Sequence, residues 1–365
     1  MGGVKTASQA ETGQPAEPRR LITYAEAVVE GIREEMRRDP SIFYMGQGVG
    51  PRGGNFQQSR GLWAEFGGER VRDTPIAERG QTGLGIGAAL AGSHPIVDIV
   101  FLDFVLEAIC DIIQQASTIH YISDGKFKVP VVVRAAGGGK RSTGPHHSHT
   151  FYSFFMHIPG LKVALPSTPY DLKGLMKTTL RDNDPVIFVE HKALYNTKGH
   201  VPEEEYLIPF GQAAIRRTGD QITLVAMGQM VHHAMQAAVR LEREGISVEI
   251  VDPRTLAPFD KDTILTSVAK TGRLVIVDEA YAACGVSAEI AAIVASEALY
   301  ELDAPILRIC TLPAPHAFSP SLDTYLVPSV DRIVSEVAAV VGRSSKSPIP
   351  LGCTIRVFAD LEKHK

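Results

Sequence analysis

Two short segments carry the side chains best suited to chemistry. The first is DTPIAERG, residues 73–80, which runs directly into QTGLGIGAALAG. Its Glu78 stands between a Thr-Pro-Ile turn and a helix built almost wholly from small residues. A carboxyl held where backbones pack closely and water is scarce suits the taking up and passing on of a proton. The plainer reading is an acid facing the positive end of a helix dipole. The second segment is GGGKRSTGPHHSHTFYSFFMHIPG, which holds His146, His147, His149 and His157. Histidines on such a loop are read as catalytic or substrate-binding groups, as solvated loop residues, or as metal ligands. The metal reading has least support, because no HExxH pair and no carboxylate ligand accompany them.

Both segments need a scaffold that holds loops still. Apolar runs alternate with amphipathic stretches along the chain, the pattern of an α/β architecture. SIFYMGQGV (41–49) reads as a strand leaving into a glycine-rich loop, and HPIVDIVFLDF as another. KVPVVVRA (128–135) is a β-branched run of the kind buried on both faces of a parallel sheet. The histidine loop follows it, at the carboxyl edge where ligand crevices of open α/β sheets lie. GLKVALPS and PVIFVEH read as further strands, with Ser167 or Thr168 capping the helix between them. VLEAICDIIQQASTIHYIS reads as one long amphipathic helix. The small-residue helix carries Gly83, Gly85 and Gly87. Glycine inside a helix costs roughly 0.5–1 kcal/mol relative to alanine, so several together imply close approach to another backbone or to a ligand. Gly83, Gly85 and Ala88 also fit G-x-G-x-x-A, but no apolar strand precedes them, which argues against a dinucleotide site.

TKGHVPEEEYLIPFG (197–211) is charged and punctuated by Pro and Gly, and reads as an interdomain linker. A second α/β unit follows, ending in the helix PSVDRIVSEVAAVVG. The first 20 residues read as a disordered tail and residues 343–365 as an appendage. With 365 residues the chain has room for two domains. Its net charge of -4 gives no basic footprint for nucleic acid and no polybasic membrane patch. No apolar run is long enough to span a bilayer. Cys110, Cys284, Cys310 and Cys353 form no CxxC pair and no zinc spacing, and are expected as reduced thiols of a cytoplasmic protein.

Taken together, DTPIAE, the glycine helix, RAAGGGKRSTGPHHS, HIPGLKVALPSTPYDLKGLMKTTLRDNDPVIFVEHKALY and VDPRTLAPFD resemble the beta subunits of thiamine-diphosphate-dependent 2-oxo acid dehydrogenases. These are the decarboxylating components of pyruvate, branched-chain and acetoin dehydrogenase complexes. The resemblance covers roughly residues 20 to 342. It implies two doubly wound domains, a transketolase-like pyrimidine-binding domain at 21–198 and a transketolase C-terminal domain at 213–342, joined by the linker 199–212. It implies oxidative decarboxylation of a 2-oxo acid, of pyruvate or branched-chain type, with acyl transfer to lipoyl. Glu78 falls on the glutamate that bonds the cofactor's aminopyrimidine ring, and His147 on an active-site histidine that assists acyl transfer, with His146 beside it toward substrate. Phe104 and Ile76 match walls of the pyrimidine pocket; plain core packing is the rival for Phe104. Asp182 lies where some relatives hold a structural potassium ion, a helix-ending turn without an ion being the alternative.

The phosphate half of such a site is missing. No GDG motif is present, and Gly219-Asp220 is followed by Gln221. The resemblance therefore implies an alpha partner that holds most of the Mg2+ and diphosphate, in an assembly of two alpha and two beta chains with a beta–beta contact, served by a lipoyl-bearing acyltransferase. Four features depart from the commonest family pattern. Gln47 replaces a glutamate near the cofactor, and Ala77-Glu78 is followed by Arg79. The histidine loop reads His146-His147-Ser148-His149 in place of Gln-His-Ser-Gln, and a C-terminal tail is added. A guanidinium beside a carboxyl favours its ionised form, whereas burial favours the neutral one. Three other readings share the fold: a split transketolase-like carbon–carbon transferase subunit, an acetoin-cleaving enzyme subunit, and a scaffold subunit without chemistry. The second domain is expected to be mainly structural.

Overall fold

The computed structural model describes residues 20–139 and 142–342. The tail before Arg20, the appendage 343–365 and Cys353 lie outside the described residues. The first half of the chain builds most of a seven-stranded sheet. Its order is Thr255–Ala257, Lys162–Ala164, Val186–His191, Val132–Gly137, His94–Phe101, Ile42–Gly46 and Val71–Asp73. All pairings are parallel except that of the first two strands. Six neighbouring strands thus deliver their carboxyl ends to one edge. The β-branched run that suggested a strand forms Val132–Gly137, buried at every position. Helices cover both faces: Tyr24–Arg38 and Pro169–Leu180 on one, and Glu78–Leu90 with the segments after Phe101 on the other. Thr23 closes a capping box with Glu26, and Thr168 caps the helix at Pro169, as its sequence suggests.

The second domain repeats the doubly wound plan. Its sheet runs Leu307–Thr311, Leu274–Tyr281, Ile222–Ala226, Val248–Asp252 and Ala214–Arg217, the last strand antiparallel. The two domains are not independent bodies. Thr255–Ala257, from the run DPRTLAPFD, leaves the second domain and pairs with Lys162–Ala164 in the first sheet. One hydrophobic core continues from Val97, Val133 and Ile187 to Val225, Val251 and Ile264. Asp171 and Asp252, both fully buried, share the guanidinium of Arg216 across the junction.

One expectation is corrected and two gain detail. The helix expected after the strand at 94–101 is broken. It consists of a 3-10 stretch Leu102–Ala108, a turn Ile109–Asp111, a π-helical turn Ile112–Ala116 and a short helix Ile119–Ile122. The break starts at a bulge where Val100 takes φ 67 and its N–H bonds Asp98. Such a conformation is costly for a β-branched residue and has to be held by its surroundings. The linker between the two domains is itself packed. Lys198–His200 pairs with Leu21–Thr23, Val201 and Ile208 are buried, and Tyr206 stacks on Tyr170 at 4.4 Å.

The third concerns the glycine helix, Glu78–Leu90, whose glycines divide by face. A Cβ on Gly85 would lie 2.6 Å from Val97 and 3.2 Å from Met45, so this position lets the helix settle on the sheet. A Cβ on Gly83 or Gly87 would meet nothing. Close packing within the chain therefore accounts for one glycine of the three, and the other two lie on an open face.

Candidate active site

Residues from five adjacent strand ends converge at the carboxyl edge of the first sheet. Gly46 ends one strand and is followed by Gln47. The neighbouring strand ends at Asp73, and Thr74 turns the chain back by donating its N–H to Gly46 O at 3.0 Å. Thr74 Oγ1 also reaches Gln81 at 2.6 Å, tying the turn to the first helical turn. Glu78 is thereby placed at the start of the glycine helix with 9% of its surface exposed. Gln47 Nε2 donates to Glu78 Oε1 at 3.1 Å. The departure at Gln47 thus supplies a neutral donor to the acid where a second glutamate would add like charge. Arg79 is turned away: its Nε bonds Asp111 at 3.1 Å on the outer surface. Arg79 thus pairs with Asp111 and not with its sequence neighbour Glu78. Ile76 is 79% exposed and walls nothing within this chain.

The strand ending at Phe101 supplies the aromatic side. Phe101 and Phe104 both present edges to the His147 ring, at centroid distances of 4.8 and 5.4 Å. Phe104 is only partly buried and packs against the core. His147 sits on the 3-10 turn Pro145–His147, and His146 beside it is exposed. His149 points elsewhere. Its Nδ1 lies 2.5 Å from Asp103, whose buried second oxygen has no partner, and its ring stacks on Phe151. This oriented imidazole–carboxylate pair ties His149 to the 3-10 stretch Leu102–Ala108.

One site residue was not singled out from sequence. Lys192 follows the strand Val186–His191 and is fully buried. Its ammonium donates to the carbonyl of His147 and, at 3.1 Å, to Thr143, and it lies over the Phe101 ring. A lysine directly after a buried apolar strand was the available signal, since burying an ammonium requires partners. Beneath the site Arg134 is also buried. It binds both oxygens of Glu190, with Tyr44 Oη at 2.5 Å, Gln58 O at 3.2 Å and Asp98 at 3.5 Å.

The remaining candidates lie apart. Asp182 accepts from Lys162 Nζ at 2.6 Å and, through its other oxygen, from the Asp184 backbone N–H at 3.0 Å. The carboxylate named for a potassium ion thus accepts from a lysine and from the turn that ends the helix. Among the described residues no group of three or more His, Cys, Asp and Glu side chains is arranged to hold a metal ion. Among them, too, no helix is long and apolar enough to cross a membrane.

The second domain brings Asp278 and Glu279 up against the histidine loop. Burial pushes Asp278 up from 3.8 to about 6, against the bonds it receives from Tyr152 and Ala280. Burial also raises Glu279, but the charge and bond of His191, the Gly139 N–H and His316 outweigh it and bring the carboxyl from 4.5 to about 2. The signs are opposite. Between pH 3.8 and 6 the native state holds the Asp278 proton that the unfolded chain releases, so this contribution shrinks as pH rises. Glu279 stabilises above 4.5, and its contribution is lost as pH falls toward 2. Urea midpoints measured from pH 7 to pH 3 should show the rise on acidification to pH 4 flattened in Asp278→Asn, and the fall below pH 4.5 reduced in Glu279→Gln. Parallel profiles for both variants and the parent would refute this account.

Comparison with known proteins places this geometry. The transketolase pyrimidine-binding domain family matches residues 20–198, and the transketolase C-terminal domain family matches residues 211–333. The 2-oxoisovalerate dehydrogenase subunit beta of Bacillus subtilis is 42% identical over 86% of this chain and 96% of that protein. The acetoin:2,6-dichlorophenolindophenol oxidoreductase subunit beta of Cupriavidus necator is 44% identical over 87% and 96%. The pyruvate dehydrogenase E1 component subunit beta of B. subtilis is 40% identical over 84% and 94%. A solved structure described as a split gene transketolase, inactive beta4 tetramer, superposes with a TM-score of 0.72 at 20% identity over 88% of this chain and 98% of that one.

Proposed function

Because the chain belongs to the transketolase-like family of 2-oxo acid dehydrogenase beta subunits, we propose that it is the beta subunit of a thiamine-diphosphate-dependent 2-oxo acid dehydrogenase. It acts with an alpha subunit in the oxidative decarboxylation of a 2-oxo acid and the transfer of the acyl group to lipoyl on a partner acyltransferase. The observation that carries this reading is the buried Glu78 at the carboxyl edge of the sheet, with Gln47 as its single hydrogen-bond partner among the described side chains.

The residues present fit half of the cofactor. A carboxyl with spare acceptor capacity suits a ring nitrogen that must carry a proton, and Phe104 offers an apolar edge to the ring. Thr82 Oγ1, one turn beyond Glu78, is buried without a partner. Thiamine diphosphate, when bound, supplies the carbon nucleophile and the electron sink for decarboxylation. In this reading Glu78 would hold the proton at the aminopyrimidine ring, Gln47 would fix the carboxyl, and Ile76 and Phe104 would offer apolar surface to the ring. His147, backed by Phe101 and Phe104, donates or receives a proton at the substrate end, and His146 faces the same side. Mg2+ and the diphosphate belong to the alpha chain, since no motif of this chain provides for them.

The open face of the glycine helix supports the partner. Gly83 and Gly87 leave a smooth surface that admits another backbone, and Ile76 and Leu84 nearby in the chain are exposed apolar side chains. With two alpha and two beta chains, part of the site is built at the junction.

Substrate choice is tested directly. This chain, co-expressed with its alpha subunit, should reduce ferricyanide with pyruvate, 2-oxobutyrate, a branched-chain 2-oxo acid or acetoin only when thiamine diphosphate and Mg2+ are supplied. Turnover by this chain alone would overturn the two-subunit reading. Ketol transfer between sugar phosphates, without oxidation, would favour the transketolase-like alternative.

A further inference from the structure

The histidine loop is anchored from the other domain. Gly139 N–H donates to Glu279 Oε1 at 2.6 Å, and the second oxygen of Glu279 lies 2.5 Å from His191 Nε2. Ser142 N–H donates to Asp323 Oδ2 at 3.2 Å, and the other Asp323 oxygen lies 2.9 Å from His316 Nδ1. Glu279 comes from the strand Leu274–Tyr281 and Asp323 from the helix Pro320–Leu326. Glu279, His191, Asp323 and His316 are all buried.

The backbone of the loop is shaped to this contact. A Cβ on Gly138, at φ +94, would lie 2.0 Å from the His191 ring. One on Gly139 would lie 2.7 Å from His316, and one on Gly144 2.2 Å from Phe318. Two of these three neighbours, His316 and Phe318, belong to the second domain. From the first domain Lys192 grips the same loop at Thr143 and at the His147 carbonyl. The loop is thus held between one ammonium of its own domain and two carboxylates of the other. Charge-assisted bonds of this kind are about twice as strong as neutral ones.

We infer that Glu279 and Asp323 are positioning residues that fix His147 over the site, so that the second domain takes part in the substrate step. This rests on the proposed function only for what His147 does; the anchoring itself is a property of this chain.

The test uses the assembled alpha–beta enzyme. Hydrogen exchange is followed in the loop 138–151 and, as a reference, in the helix Gln229–Arg243, for Asp323→Ala, Asp323→Asn and Glu279→Gln. Losing a charged acceptor should speed exchange in the loop about tenfold in Asp323→Ala, with Gln229–Arg243 unchanged and partial rescue in Asp323→Asn. Turnover with the preferred 2-oxo acid should fall by a similar factor, with KM moving less. Unchanged loop exchange would overturn the inference, as would a loosened loop with full turnover. Glu279→Gln decides if Asp323→Ala does not fold, because it keeps an acceptor for Gly139 and loses the charge. An assembled parent enzyme that turns over no 2-oxo acid would instead fail the functional reading, and the exchange comparison would still decide the anchoring.

Discussion

Glu78→Gln should lower 2-oxo acid turnover by about a hundredfold to ten-thousandfold, the usual worth of a positioned acid–base group. The substitution keeps size and hydrogen-bonding atoms but removes the ability to hold and release a proton at the cofactor ring. Among the described residues Glu78 is the carboxylate that Gln47 bonds, and no second acid shares that bond to replace it. The fold should survive, because the amide oxygen introduced by the substitution can still accept from Gln47. The decisive measurement pairs steady-state ferricyanide reduction with thiamine diphosphate affinity, both on the alpha–beta assembly. Loss of turnover with the thermal midpoint within a few degrees of the parent supports the assignment. Full activity in Glu78→Gln would remove Glu78 from the mechanism.

The second large effect is on stability. Arg134→Met should destabilise the chain by about 3–5 kcal/mol, the cost of breaking a buried ion pair by removing one partner. Glu190 and Asp98 would be left as buried carboxylates facing an apolar side chain. Tyr44 and the Gln58 carbonyl would lose their shared donor as well. Arg134→Lys should rescue little, since one ammonium cannot reproduce the two-pronged bond to Glu190. Urea unfolding of the three proteins gives the comparison. A shift in Arg134→Met no larger than that of an exposed ion-pair variant such as Lys261→Ala would show that the pair contributes little.

The scaffold was legible because parallel strands buried on both faces must be apolar throughout. KVPVVVRA and PVIFVEH therefore announced themselves, and the histidine loop could be placed at a sheet edge before any coordinates. Arg134 inside such a strand was not singled out, although a buried guanidinium requires partners. Glu78 was recognisable by its setting between a turn and a glycine helix. The segment after Phe101 was not, because an apolar pattern with helical spacing does not record the bulge at Val100 or the pairing of His149 with Asp103. Arg79 could be read only as a neighbour in sequence, whereas its partner Asp111 lies 32 residues on. The anchoring of the histidine loop was further still from view, since Gly139 and Glu279 are separated by 140 positions. Contacts of that span depend on how two domains dock, which no local periodicity encodes.

The strand Thr255–Ala257 has a meaning for how such a gene can be divided. By lending that strand, the second domain caps the rim of the first sheet, where Lys162–Ala164 would otherwise present unpaired N–H and C=O groups. The same loan places Arg254, just before the strand, against the buried carboxylate of Asp171. A division that follows a surface leaves no sheet edge exposed. A cut at residues 199–212 would instead leave a sticky rim on one product and an orphaned strand on the other. Each half of this polypeptide is therefore completed by the other.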